Sequence, residues 1–314
     1  MPKTGIHIIS RQQGNNRAIK AGEVALPDFA LEWEEVDPLV RAFRKMVREG
    51  AYEVTELALT TYICARAHGA ELTAIPVFLV RDFHHKAAVR RVGGSITTPR
   101  NVIGKRVGVQ RGYTVTTGVW ARAVLAEEHG VEPETVTWAR SDVEHVASYA
   151  PPTFVEDLGG TGDVAAQIAA GTLDAGVGLG ATGDHMAPLI ENPGDAGLRA
   201  FRERGFYPIN HLVAIRNDVL AANPGLATQL FEGFAQSKRR YVAALRAGQI
   251  ANPTAIDKVH SAVMETQPDP LPYGIAPNQD ILERLMSHAV AQGIIPAPVP
   301  LTDLFAPEVL ELVG

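Results

Sequence analysis

Residues 72–90, LTAIPVFLVRDFHHKAAVR, hold the densest group of side chains suited to chemistry in this 314-residue chain. An apolar, strand-like run ends in Arg81, His84, His85 and Lys86, and a second apolar run follows at once. Four cation-capable groups at the mouths of two strands read as an anion-binding site. The Arg81 guanidinium suits a carboxylate, which it can hold through two parallel hydrogen bonds. The imidazoles titrate near neutral pH and can deliver a proton. If His84 and His85 are extended, their side chains diverge, so at most one of the two is expected to face a ligand.

Other candidates stand at the ends of further apolar runs. Glu56, near the end of a strand-like segment at 52–57, suits a hydrogen bond from a substrate hydroxyl or the orientation of a histidine. Thr60, Thr61 and Tyr62 open a helix, where hydroxyls and uncommitted backbone N–H groups bind anions or simply cap the helix. Arg111, Gly112, Tyr113 and Thr114 form a strand, glycine turn and helix start, a candidate anion nest with Thr116 and Thr117 in the first helical turn. Leu179, Gly180, Ala181 and Thr182 are small enough at Gly180 for backbone to approach a ligand closely. His211 follows Pro208, Ile209 and Asn210 at the start of an apolar run, as either a hinge residue or an acid/base. His84, His85, His185 and His211 with nearby acids leave a divalent metal open, but they lack HxxxH or HxH spacing, so the leading expectation is no metal. GxGxxG, P-loop and GxSxG motifs are absent, and the GGTGD at 159–163 lacks a phosphate-binding lysine. These motifs therefore give no support for a nucleotide.

The elements that must position these groups alternate between strand and helix. Strands are expected at 6–10, 52–57, 72–80 and 87–92, with helices at 38–48 and 60–68. This order implies a parallel sheet flanked by helices. The Gly/Ser/Thr/Pro stretch 93–104 reads as a connection. A second α/β unit follows, with strands at 106–110, 135–139 and 173–179 and helices at 114–129 and 162–170. A strand at 208–216 and helices at 224–247, 252–266 and 278–292 close the chain. The expected lobes are 1–94 with 207–314, and 95–206. Hydrophobic residues make up 46% of the chain and its net charge is -6. That supports a sizeable core and gives no basic stripe for nucleic acid. The local basic cluster suits a small anionic ligand instead. The single cysteine, Cys64, permits no internal disulfide and is expected to be a small buried side chain. Neither a secretory signal nor a membrane-spanning run is evident, so a cytoplasmic protein is expected. The C-terminal DLFAPEVLELVG suits packing on its own lobe or on a second copy, which leaves a homo-oligomer open.

Several stretches, in order, carry a family likeness: YEVTELALTTYICARAHG at 52–69, IPVFLVRDFHHKAAVR at 75–90, and GKRVGVQRGYTVTTGVWARAVLAEEHGVEPETVTW at 104–138. FYPINHLVAIRNDVL at 206–220, PYGIAPNQDILERLMSHAVAQGI at 272–294 and DLFAPE at 303–308 complete it. With these the chain resembles the 4,5-dihydroxyphthalate decarboxylase family. It departs from the family at His84-His85, where Arg-His is usual, and at SRQQGNN, where an acidic, Arg-bearing turn is usual. The resemblance implies a two-lobed, type II periplasmic-binding-protein-like α/β fold with a ligand cleft between the lobes. It also implies decarboxylation of a hydroxylated aromatic carboxylate without an organic cofactor. Arg81 and the Thr114 helix start would hold carboxylate, and His84, Thr60, Thr61, Arg111, Tyr113 and Gly180 would line the ligand. His85, matched to the family histidine, or His211 would donate the proton, and the other or Glu56 would engage the hydroxyl. A solute-binding protein for a small aromatic carboxylate is the competing class, since the fold is shared. Enzymes of menaquinone or thiamine-precursor synthesis share only the general layout.

Overall fold

A computed structural model describes residues 3–159 and 162–314. Gly160 and Thr161 of the GGTGD turn lie outside the described residues. The chain divides into two compact units, Met1–Asp82 with Ile209–Glu283 and Val299–Gly314, and Phe83–Pro208 with Arg284–Pro298. The crossing thus comes after Asp82 rather than 94, and residues 284–298, expected in the first lobe, pack with the second unit.

In chain order the first unit opens with β1 (Thr4–Ile9), α1 (Arg17–Lys20), β2 (Phe29–Glu34), α2 (Val40–Glu49), β3 (Val54–Ala58), α3 (Leu59–Ala67) and β4 (Leu72–Arg81). The second unit contributes β5 (Ala88–Arg91), β6 (Arg106–Val109), α4 (Thr116–His129), β7 (Thr137–Arg140), β8 (Val155–Asp157), α5 (Val164–Ala169), β9 (Ala175–Val177), β10 (Met186–Pro188) and α6 (Pro193–Arg204). The chain then returns through β11 (Ile209–Arg216), α7 (Asn217–Ala222), α8 (Leu226–Arg246) and α9 (Ala255–Met264), and ends with α10 (Gln279–Ala291) and short 3-10 turns. Among the described residues no helix is long and apolar enough to cross a membrane.

The first sheet runs β2-β1-β3-β11-β4. Strands β1, β2 and β3 are parallel, but β11 lies antiparallel between β3 and β4. The expected all-parallel sheet is therefore mixed, because β11 returns late in the chain and pairs on both of its edges. The second sheet runs β10-β5-β9-β6-β7-β8, in which β5 alone is antiparallel to the parallel core and β10 pairs antiparallel with β5. The apolar run at 88–91, expected in the first lobe, supplies β5 of this second sheet.

Burial explains which elements the sequence announces. All five residues of β3 are buried, as are most of β4 and β11, so their runs are nearly continuous in apolar character. In α2, Leu39, Ala42, Phe43 and Met46 recur at helical spacing and are buried, and Gly50 ends the helix at φ 60 with its N–H on the Met46 carbonyl. The edge strand β2 alternates Phe29, Leu31 and Trp33, which are buried or half-buried, with exposed Ala30, Glu32 and Glu34, and it is not among the strands expected from sequence. Strands β8 and β10 are three residues each and leave too little pattern to read.

Candidate functional site

In the first unit, four chain segments meet at the carboxyl edge of the parallel strands, where open α/β sheets place their ligands. The loop after β1 supplies Ser10, Arg11, Gln13, Asn15 and Asn16. Strand β3 supplies Glu56, β11 begins with Ile209, Asn210 and His211, and β4 ends in Arg81. His211 pairs with Ala58 on one side and Val80 on the other. The β4–β11 register slips around His211, a bulge that bends the strand and re-aims its side chain.

Glu56 is the hub. Its side chain is fully buried in a central strand, a placement that is costly unless the carboxylate is well bonded. His211 Nδ1 lies 2.6 Å from Oε1, and Arg11 Nε lies 3.6 Å from the same oxygen. Ser10 Oγ donates to Oε2 at 2.7 Å and Gln13 Nε2 at 3.3 Å. Asn16 Nδ2 in turn donates to Ser10 Oγ at 2.9 Å, which commits the serine proton to Glu56. Burial pushes the Glu56 carboxyl upward, but the hydrogen bond and charge of His211, the charge of Arg11 and the Ser10 bond together outweigh it. The carboxyl is held below its ordinary value. An ionised Glu56 accepts the Nδ1–H of His211, which sets the tautomer of the ring. The Phe43 ring meets the imidazole edge-on at 5.1 Å and fixes its plane. The side chain of His211 is 16% exposed and that of Arg11 is 48% exposed. The dyad therefore joins a buried anchor to an accessible, cationic face.

Arg81, expected to grip a carboxylate, is buried at the end of β4 and gives Nη1 to Asn278 Oδ1 at 2.8 Å. Asn278 is itself fixed by its Nδ2 bonds to the carbonyls of Pro272 and Gly274. Thr60 and Thr61 are wholly buried in the first turn of α3, directly after the strand that carries Glu56.

The remaining candidates belong to the second unit. His84 and His85 are buried at the start of a 3-10 turn, not on an extended strand. His85 has no exposed surface. Its Nε2 lies 2.9 Å from Glu128 Oε1, and its ring packs edge-on to Phe206. Glu128 and the adjacent Glu127 also take Arg204, while Glu127 takes His288 and Arg284. Burial pushes both carboxyls up, and these partners more than reverse it, leaving both below their ordinary values. His85 thus ties a 3-10 turn to α4 through Nε2, while its buried Nδ1 meets no hydrogen-bond partner among the described residues.

The nest at 111–114 has the expected anion-binding geometry, but its anion is the chain's own. Glu144 accepts from Tyr113 N–H at 2.7 Å, from Thr114 N–H at 3.0 Å and from Thr114 Oγ1 at 2.8 Å. Arg111 takes φ 70, a rare conformation for a side-chain-bearing residue, and its N–H donates to Ser141 Oγ. Tyr113 is buried beneath the Arg122 guanidinium, 3.9 Å from the ring centre. Gly180 lies exposed after β9, with space where a side chain would stand.

Ser10, Arg11, Gln13, Asn15 and Asn16 escaped the sequence reading. Their signal was a run of polar residues directly after the first parallel strand, noted there only as a departure from the family pattern. Among the described residues no group of three or more His, Cys, Asp or Glu side chains is placed to hold a metal ion.

Comparison with known proteins follows this geometry. No family model matches the chain. It is 28% identical to a 4,5-dihydroxyphthalate decarboxylase of Comamonas testosteroni, over 91% of this chain and 93% of the relative. It is 31% identical to a 4,5-dihydroxyphthalate decarboxylase of Pseudomonas putida, over 49% of this chain and 64% of the relative. Among solved structures, it matches the periplasmic aliphatic sulphonate-binding protein SsuA of Escherichia coli with a TM-score of 0.54 and 11% identity, over 99% of this chain and 100% of that one. The desulfurization enzyme DszB in complex with biphenyl-2-sulfinic acid matches with a TM-score of 0.54 and 14% identity, over 98% of each chain. The resemblance read from the sequence thus holds over nearly the whole chain, and the fold is the two-lobed, type II periplasmic-binding-protein-like one.

Proposed function

We propose that this protein is a carboxy-lyase that removes CO2 from a hydroxylated aromatic carboxylate of the dihydroxyphthalate type, with His211 as the proton donor. The Glu56–His211 pair beside Arg11, at the carboxyl edge of the first sheet, carries the reading. The likeness to two decarboxylases supports the reaction class. A ring hydroxyl para to the departing carboxylate pushes electron density to the carboxyl-bearing carbon. The imidazolium at His211 gives its Nε2 proton to that carbon. The C–C bond then breaks, its electron pair returns to the ring as aromaticity is restored, and CO2 leaves. One proton is consumed for each CO2 released, and the imidazole is reprotonated from solvent. Ionised Glu56 stabilises the imidazolium and holds its tautomer, and Arg11 attracts the substrate's negative charge. No organic cofactor enters these steps.

The test is CO2 release from 4,5-dihydroxyphthalate, preceded by a thermal-shift panel of mono- and dicarboxylated phenols. His211→Asn should lower turnover by about 100-fold or more while the variant still binds the ligand. Binding of an aromatic acid by the wild-type protein with no CO2 released would instead favour a solute-binding role on the same fold. Unchanged turnover in the variant would remove His211 from the mechanism.

A further inference from the structure

Asn15 stands in the loop that serves Glu56 and takes no part in the proton transfer described above. It is 2% exposed. Its Nδ2 donates to the Leu79 carbonyl at 2.8 Å, and since a carbonyl only accepts, this bond settles which way the amide faces. Leu79 is skipped in the β4–β11 register, between Phe78 on Leu212 and Val80 on His211. Asn15 therefore ties the β1 loop to the bulge that aims His211. The other end of the amide, Oδ1, is buried, and among the described residues no donor reaches it. Its neighbours Gln13 and Asn16 direct their amide nitrogens to Glu56 and to Ser10 instead.

A buried acceptor without a donor is uncommon in folded proteins and calls for an explanation. A site built this way favours a ligand that brings an O–H and rejects one that does not, because the second leaves the acceptor unpaired. We infer that Asn15 is a specificity-determining residue whose Oδ1 accepts a hydrogen bond from a ring hydroxyl of the substrate. The inference rests on the decarboxylase reading, since the hydroxyl belongs to the substrate class proposed there. It adds a division of labour within one loop: Arg11 reads the substrate's charge, and Asn15 reads its hydroxyl.

The experiment is a two-way cycle of ligand against residue. Dissociation constants for 4,5-dihydroxyphthalate, 4-hydroxyphthalate and phthalate are measured by calorimetry on the wild type, Asn15→Ala and Asn15→Ser, with circular dichroism confirming the fold of each variant. For the wild type, deleting the hydroxyls should weaken binding by roughly 30-fold, and in Asn15→Ala by no more than about 3-fold. Phthalate should bind the wild type and Asn15→Ala within about 2-fold of each other, and Asn15→Ser should fall between the two on hydroxyl discrimination. An equal hydroxyl penalty in wild type and variants overturns the inference while leaving the decarboxylase reading intact. Failure of the wild type to bind any of the three overturns the decarboxylase reading, and the inference with it. Should neither variant fold, the wild-type ratio decides, and a hydroxyl penalty below about 3-fold overturns the role of Asn15.

Discussion

Replacing Glu56 by Gln removes one charge and keeps the shape, so its effect can be worked from the contacts. The carboxylate holds two short, charge-assisted hydrogen bonds, to His211 at 2.6 Å and Ser10 at 2.7 Å. A bond to a charged group contributes about 1.5–3 kcal/mol and a neutral one about 0.5–1.5 kcal/mol, so neutralising the acceptor costs ~1 kcal/mol at each. The Arg11 contact is long and its guanidinium half-exposed, so it adds less than ~0.5 kcal/mol. The sum for Glu56→Gln is roughly 2–2.5 kcal/mol at neutral pH. The sign with pH follows from linkage. The folded state depresses the Glu56 carboxyl, so its contribution is fully present above the unfolded-state pKa of about 4.3 and is lost as pH falls through the lower folded value. The stability gap between wild type and Glu56→Gln should therefore be widest near pH 7, begin to shrink below about pH 4.3, and close only as pH falls through the lower folded value. Urea unfolding followed by the fluorescence of Trp33, the one tryptophan of the first unit, measures it once Trp120 and Trp138 are replaced by Phe in both proteins. A gap that stays the same size from pH 7 down through acid unfolding would refute the reasoning, because a buried carboxylate could not then be its source. Turnover should fall with it, by about 100-fold or more at pH 7, since the imidazole loses the group that holds its tautomer.

Two other perturbations follow from the same geometry. His85→Ala should destabilise the second unit by about 2–3 kcal/mol, since it opens a cavity beside Phe206 and strips a partner from Glu128. CO2 release per folded molecule should stay within about 3-fold of wild type, and a 100-fold loss would restore His85 to the mechanism. Gly14→Ala puts a Cβ 2.2 Å from the Tyr241 ring, which must push the loop carrying Ser10, Arg11 and Gln13 away from Glu56. A cost of roughly 1–3 kcal/mol and a lower kcat are expected, and an unchanged melting temperature with full activity would show that the loop is free to adjust.

The alternation of strands and helices is legible in the amino-acid order alone, because β3, β4 and β11 are buried on both faces and so are rich in apolar residues. For the same reason that order exposes Glu56 and His211: a charged residue near the end of such a strand, and an imidazole near the start of another, stand out against their neighbours. Which groups meet was not legible there. Ser10 lies 46 residues from Glu56, and Glu56 lies 155 from His211, so only the folded sheet brings them together. The same limit misdirects reading at the densest cationic cluster and at the nest. His85 and Thr114 have the right chemistry for a ligand, but their partners Glu128 and Glu144, 43 and 30 residues away, are brought onto them by the packing of the second unit. A side chain's type states what it can bind, and the tertiary structure decides whether the chain itself has already bound it.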